Sequence, residues 1–509
     1  MVTAAPGLAL ASSANWVSIG QTIHHAISPL SPLPRPAPKC KNRRMSTNPT
    51  DRAAAASRAF REGLGRLIAF PTDATAPGAE AALAAYLDHV EGELHASGFE
   101  TRRTTGDGHP FLIARRIEDP SLPTVLGYAH GDTVPGMEGR WRAGRDPWRL
   151  TEAPEEGRLY GRGIADNKGQ FWVNLTAMRA VLDARGRLGF NAVWLIEMGE
   201  EVGSPGLGAV IAAERKRLAA DLLLASDGPR LDTGTPTIFL GARGARTFRL
   251  HLKRREGGRH SGNFGGLLRN PGLEMAHALT TIADAQGAIR VPGWTPAHVD
   301  EASRALLRGV TPAAGEIDEG WGTPGLSPAE RVHAWCSAEV LAFTCGDPGH
   351  PVNAIPPEAT AWVQLRHVTG LDADRLGDHL RAHLAGQGYG DVEVSEDSAA
   401  FPATATPPDH PAARFAARSI AATTGSPPVI LPSLGGSLPN DVFTDTLGLP
   451  TIWVPHSYPG CSQHAPDEHL PTAIFADACA VMAGLYWDLG TEAALSLRSA
   501  YPSSSAAPI

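Results

Sequence analysis

The stretch that decides the fold runs from Tyr128 to Glu201: YAHGDT at 128–133, GRGIADNKG at 161–169 and EMGEE at 197–201. Thr124–Ala129 (TVLGYA) is short and apolar throughout, as a strand buried on both faces must be. It ends in His130-Gly131-Asp132. Asn191–Met198 (NAVWLIEM) reads the same way and runs into Glu200-Glu201. Between them a helix is predicted from Asn167 to about Arg185, with Phe171, Leu175, Met178 and Leu182 on one face. Asp166 then lies at or beside its N-cap, a position that favours Asp for capping alone. In open α/β sheets functional groups gather at the carboxyl ends of strands.

The pattern continues outward. Leu222–Ala225 (LLLA) is a third buried strand and ends in Ser226-Asp227, and HSYPGCSQHAPDEH at 456–469 follows a strand predicted at 451–454. Taken singly, a His-x-Asp is a loop histidine, a Glu pair a solvated turn and a Gly-Gly a turn. Together, the ends of the predicted elements offer His130, Asp166, Glu201, Asp227 and His464. Imidazole and carboxylate donors suit zinc, with cobalt or manganese as alternatives. Five ligands exceed what one catalytic metal needs. Two divalent ions sharing one carboxylate, typically about 3.5–4 Å apart, account for all five. Adjacent Glu200 and Glu201 are unfavourable at a strand end unless a cation sits by them. Glu201 can then ligate while Glu200 acts as general base, and Asp132 can hold the second ring nitrogen of His130.

Around this centre the chain divides. Helices are predicted over 51–66 and 78–97, the second stopped by Gly98, with a strand at Phe111–Ala114. From Gly241 the pattern changes to alternating strands (Arg246–Lys253, Ala334–Cys345, Ala359–His367) and helices (Pro271–Gln286, Asp372–Gly386), with 290–330 irregular. This predicts a two-layer α+β module with one sheet face left for helices or a partner. A helix at Ala412–Thr424, strands at Val429–Leu431 and 451–454, and a helix over Thr472–Gly490 return to the first domain. The fold class is therefore α/β, a mixed sheet between helices with an inserted α+β module. The divisions are an unfolded extension 1–44, a catalytic domain over 45–240 and 399–490, the inserted module at 241–398, and a disordered tail 491–509.

Composition narrows the function. At 509 residues the chain needs more than one hydrophobic core. A net charge of −8 with no basic stripe argues against a nucleic-acid binder, and no stretch reads as a membrane span. Five cysteines at irregular spacing indicate reduced thiols and a cytoplasmic setting, with secretion the second reading. Residues 1–44 include the Pro-rich, basic SPLSPLPRPAPKCKNRR and fit an extension ahead of a start at Met45.

The order YAHGD, GIADNKG, GEE, SDGP and a late His resembles the co-catalytic zinc peptidases of the aminoacylase, carnosinase and glutamate-carboxypeptidase family, across nearly all of 51–490. The resemblance implies that His130 and Asp227 hold one metal, Glu201 and His464 the other, and that Asp166 bridges them. It makes a water between the metals the nucleophile, Glu200 the base and Asp132 the residue that orients His130. The choice of His464 over His456 and His469 rests on the family's spacing. The inserted module resembles the family's lid, or dimerisation, domain. This implies a homodimer in which His260 (RHSGNFGG) reaches the partner's site to stabilise the oxyanion. Asn353 and Arg366 match lid positions that contact substrate, and Gly436 and Ser437 match the loop holding the substrate's terminal carboxylate. Two departures stand out. Asn167 replaces a second acidic residue, and SQHAPDEH lacks the usual Asn-Glu after the histidine, leaving Glu468 for that role.

The implied activity is cleavage of a peptide or amide bond next to a free carboxylate, by a dipeptidase or carboxypeptidase acting on a small peptide. The alternatives are a deacylase for N-acyl amino acids, of acetylornithine or succinyl-diaminopimelate type, and a non-catalytic binding protein on the same fold. The last would be expected to have lost a ligand or the base.

Overall fold

The computed structural model describes residues 57–312, 316–396 and 400–500. The expected extension 1–44, Cys40 within it, lies outside them.

Eight strands form one mixed sheet in the order Glu100–Gly106, His109–Arg116, Asn191–Glu197, Thr124–His130, Leu222–Ala225, Thr451–Trp453, Thr237–Phe239, Val429–Leu431. The three apolar runs of the motif region are its centre. Thr124–His130 runs parallel to both neighbours, pairing His130 with Glu197 and Val125 with Leu222. Side chains alternate across the sheet. Val125, Ala129, Trp194 and Ile196 face the helices Arg58–Ile68, Glu80–Ala96, Lys168–Arg185 and Thr472–Leu489. Leu126, Tyr128, Val193 and Leu195 face the opposite layer, which includes Leu207–Ala213. Both faces are covered, so both sets of positions are apolar and the strands read as continuous hydrophobic runs.

A second sheet, Ser337–Thr344, Glu358–His367, Gly244–Lys253 and Glu393–Glu396, is antiparallel throughout. Phe248, Leu250, Ala361, Val363 and Leu365 pack on the helices Pro271–Ile282 and Leu376–Gly386. The alternation of burial along Glu358–His367 leaves the other face only half-covered.

At four places the structure corrects or adds to what the sequence shows. Glu100–Gly106 (ETRRTTG) is an edge strand that the sequence did not announce, because it is polar and largely exposed. The stretch from Val299 to Trp335, assigned by sequence to the inserted module, contains the helices Glu301–Leu307 and Pro328–His333. Its Val299, Leu307, Ala329 and Trp335 pack into the core of the large sheet with Leu431 and Phe443. The helix Thr472–Leu489 is long and apolar enough by composition to cross a membrane. Its Phe475, Val481, Met482 and Leu485 are instead core residues, and it lies along Lys168–Arg185. The tail expected to be disordered continues as helical turns over Glu492–Ala500, with Ala494 and Leu497 buried in the same core.

Candidate metal centre

Parallel pairing aligns the carboxyl ends of Thr124–His130, Asn191–Glu197, Leu222–Ala225 and Thr451–Trp453 along one edge of the sheet. His130 is the last residue of its strand, Glu200 and Glu201 follow the second by a short turn, and Asp227 follows the third. Gly131 must be glycine here, since a Cβ would lie 2.1 Å from the Tyr86 ring. Asp166 comes from the opposite side, joined to helix Lys168–Arg185 through Asn167. A Cβ at Gly169 would lie 1.9 Å from the Ile164 carbonyl, so this loop can close on the helix only with glycine. His464 sits in a loop whose Ser462, His464 and Asp467 all have left-handed backbone, at φ 57°, 59° and 61°. Non-glycine residues seldom adopt that conformation without a surrounding structure that enforces it.

The structure brings all five expected ligands together, in two triads that share Asp166. His130, Asp166 and Asp227 form one triad and Asp166, Glu201 and His464 the other, with donor atoms in each within 4.8 Å of one another. Asp166 Oδ1 is 2.9 Å from His130 Nε2, while Oδ2 is 3.1 Å from His464 Nε2. Asp227 Oδ2 lies 3.6 Å from His130 Nε2, and Glu201 Oε2 lies 3.2 Å from His464 Nε2. Neither neighbouring histidine falls in a triad. His456 receives Arg230, and His469 bonds the Tyr458 hydroxyl at 2.8 Å.

Asp132 is buried beneath the cluster. The second ring nitrogen of His130 meets the Asp132 backbone carbonyl at 3.2 Å, and the carboxylate stands 3.5 Å away. That carboxylate instead accepts the N–H groups of Glu200 and Glu201, at 3.2 and 3.0 Å. One residue thus fixes the imidazole and the Glu pair together.

The electrostatics fit divalent cations. Burial pushes the pKa values of Glu200, Glu201 and Asp227 up, reinforced by the other carboxylates. Against burial, the nearby carboxylates of Asp132, Asp166 and Asp227 raise His130 well above the usual imidazole value. Asp166 and Glu201 raise His464 to about 10. One oxygen of Glu201, Oε1, is buried with no hydrogen-bond partner among the described residues. An acidic N/O donor set with an orphaned carboxylate oxygen is what two divalent ions would satisfy.

The cluster is braced by residues that the sequence marked weakly or not at all. Glu468 accepts Arg162 at 2.7 Å and the backbone N–H groups of Gly163 and Ala165 at 3.0 and 2.8 Å, holding the loop that carries Asp166. Asn167 donates to the Ser226 carbonyl at 2.8 Å, tying that loop to the strand end that carries Asp227. A carboxylate could not make this bond, which explains the amide at the departure noted above. Gln463 donates to Asp166 Oδ2, and nothing in the sequence distinguished it from an ordinary loop residue.

A cavity of about 510 Å³ opens beside the cluster, with Asp166, Glu200, Asp227 and His464 at its wall. Gly436 and Ser437 line it too, and Arg366 donates to Ser437 Oγ at 2.7 Å. His260 and Asn353 are not brought to this site within the chain. They lie exposed on a small ribbon that pairs Arg259–His260 with Ala354–Ile355.

The chain is similar to known proteins in sequence and in fold. A cysteinylglycine-S-conjugate dipeptidase of Corynebacterium striatum is 29% identical over 368 residues, covering 69% of this chain and 77% of its own. Human Beta-Ala-His dipeptidase is 35% identical over 187 residues, 36% of each chain. Among solved structures, an M20 family metallo-carboxypeptidase from Sulfolobus solfataricus aligns with a TM-score of 0.71 at 23% identity, covering 85% of this chain and 99% of its own. Human carnosine dipeptidase 1 aligns at 0.68 and 21% identity, covering 87% and 98%. The pattern of Peptidase family M20/M25/M40 matches residues 126–488, from the strand that ends in His130 to the helix Thr472–Leu489, and the chain belongs to that family.

Proposed function

We propose that the protein is a two-metal peptidase of dipeptidase or carboxypeptidase type, cleaving the peptide bond next to a free carboxylate. The observation that carries this reading is Asp166, which turns one oxygen toward each triad. The relatives' names support the dipeptide as substrate class.

His130 and Asp227 would hold one ion, Glu201 and His464 the other, and Asp166 both, with zinc the ion we favour. When bound, the ions would acidify a water and polarise the scissile carbonyl. Glu200, outside both triads yet facing the cavity, takes the water's proton and delivers it to the leaving amine. Asp132 keeps Glu200 in place through its backbone N–H. Gly436, Ser437 and Arg366 hold the terminal carboxylate, and Asn353 adds a substrate contact from the inserted module. His260 of a second copy donates to the oxyanion as charge develops.

We assign the second sheet and its helices as the lid and dimerisation module. Its edge strand Ser337–Thr344 supports this, with Val340, Leu341 and Phe343 exposed at 53%, 56% and 42%. An unpaired apolar edge is a ready site for a second copy.

Elemental analysis, followed by hydrolysis of a panel of dipeptides and N-acyl amino acids before and after chelation, tests the proposal. About two ions per chain and chelator-sensitive cleavage of dipeptides are expected from a co-catalytic centre. Cleavage of N-acyl amino acids alone would move the assignment to a deacylase. No metal uptake and no activity with zinc, cobalt or manganese would refute it.

A further inference from the structure

The cavity beside the metal cluster has a second charged feature that the mechanism does not use. Arg230 lines it, yet the residue is only 2% exposed. Its Nε donates to the Pro455 carbonyl at 3.1 Å and its Nη2 to His456 Nδ1 at 3.3 Å. Among the described residues these are the guanidinium's only hydrogen bonds, and no carboxylate of those residues lies within ion-pair distance of it. Asp232 and Asp477 act on it only through space, and burial pushes its pKa down to about 10. Much of the remaining wall is apolar, including Phe239, Leu431, Leu434 and Leu438.

A guanidinium this deeply buried stays charged, and with no contacting counter-ion its desolvation is only partly offset. Arg230 lines the cavity, and its planar fork has more donors than its two hydrogen bonds use, in a geometry matched to a carboxylate. An apolar ligand would fill the wall and leave those donors unsatisfied. A ligand with an aliphatic stem and an anionic tip satisfies both.

We propose that this cavity is a specificity site for a substrate residue bearing a side-chain carboxylate, its methylenes against Phe239, Leu431 and Leu434 and its charge on Arg230. The inference rests on the reading of the adjoining cluster as the hydrolytic centre. It makes the preferred substrate a dipeptide with a Glu residue, distinct from the terminal carboxylate assigned to Arg366 and Ser437. Both Arg230 and the cluster are fixed by the same strand end, since Arg230 follows Asp227 by three positions.

The test is binding, measured by calorimetry on the metal-loaded full chain. The ligands are reduced-amide analogues of Glu-Ala, Gln-Ala, Ala-Glu and Ala-Gln, in which CH2–NH replaces the scissile amide. One Glu analogue is expected to bind at least about tenfold tighter than its Gln counterpart, as for a charged donor meeting a charged rather than a neutral acceptor. Arg230→Met should bring that ratio close to one, chiefly by weakening the Glu analogue. Arg230→Lys, which retains the charge and spares the fold if the Met variant fails, should keep the preference in weakened form. Equal binding of Glu and Gln analogues in both orders, or a preference that survives Arg230→Met, would overturn the site. Hydrolysis of the four parent dipeptides is followed in parallel. Cleavage without a Glu preference sinks the site alone. A Glu preference in binding without any cleavage supports the site and sinks the peptidase reading.

Discussion

Arg162 and Glu468 form an ion pair at 2.7 Å across the chain, and each side chain is only 1% exposed. Glu468 also takes the N–H groups of Gly163 and Ala165, so the pair clamps the final loop of the chain's metal region onto the loop that delivers Asp166. Removing one partner of a buried pair strands the other charge, at about 3–5 kcal/mol. Glu468→Ala should therefore lower the denaturant midpoint substantially and weaken metal uptake. Glu468→Gln, which keeps the shape and one acceptor, should be milder on both. A Glu468→Ala protein as stable as wild type would show that the clamp carries no weight.

Glu200 separates chemistry from metal binding. Glu200→Gln should retain both ions by elemental analysis and keep its circular dichroism and thermal midpoint. Its kcat should fall by about 10²–10⁴, the usual contribution of a general base. Unchanged turnover would remove Glu200 from the mechanism.

His333 gives the fold a defined acid sensitivity. Burial holds its pKa down at about 4, against 6.5 when exposed, and the ring meets the Ser433 carbonyl at 2.9 Å. A base whose folded pKa is depressed takes up a proton more readily when unfolded, so its contribution to stability is intact above pH 6.5 and lost progressively down to pH 4. The loss is on the order of 3 kcal/mol. In metal-free protein, His333→Asn should show a smaller drop in denaturation free energy between pH 7 and pH 4.5 than wild type. Identical drops would mean that His333 does not titrate as described.

His260 tests the lid assignment through subunit mixing. His260→Ala and Glu200→Gln should each be inactive as homodimers. Mixed by unfolding and refolding together, they should recover about one quarter of wild-type activity, because half the dimers would carry one intact composite site. No recovery, with mixed dimers demonstrated by mass, would confine His260 to its own chain.

Much of the candidate metal centre was legible because His130, Glu201 and Asp227 follow buried strands, while the choice of His464 rested on the resemblance. Those strands are recognisable as short apolar runs, and a charged residue at the end of such a run stands out. The bracing residues were harder to see. Asn167 and Gln463 act through contacts made by folding, and neither announces its partner in the linear sequence. The packing of 299–335 on the large sheet was obscured by its many Pro, Gly and Trp residues and short helices, which carry no long periodic stripe. Glu100–Gly106 escaped because a largely exposed edge strand needs no apolar alternation. The helix Thr472–Leu489 illustrates the reverse ambiguity, since a helix enclosed by a core and one enclosed by lipid share a composition.

The most direct test of the central claim is anomalous diffraction from crystals equilibrated with zinc. Two peaks are expected about 3.5–4 Å apart, one on each side of the Asp166 carboxylate, the first near His130 and Asp227 and the second near Glu201 and His464. A single peak in fully loaded crystals, or two peaks that do not share Asp166, would contradict the co-catalytic centre.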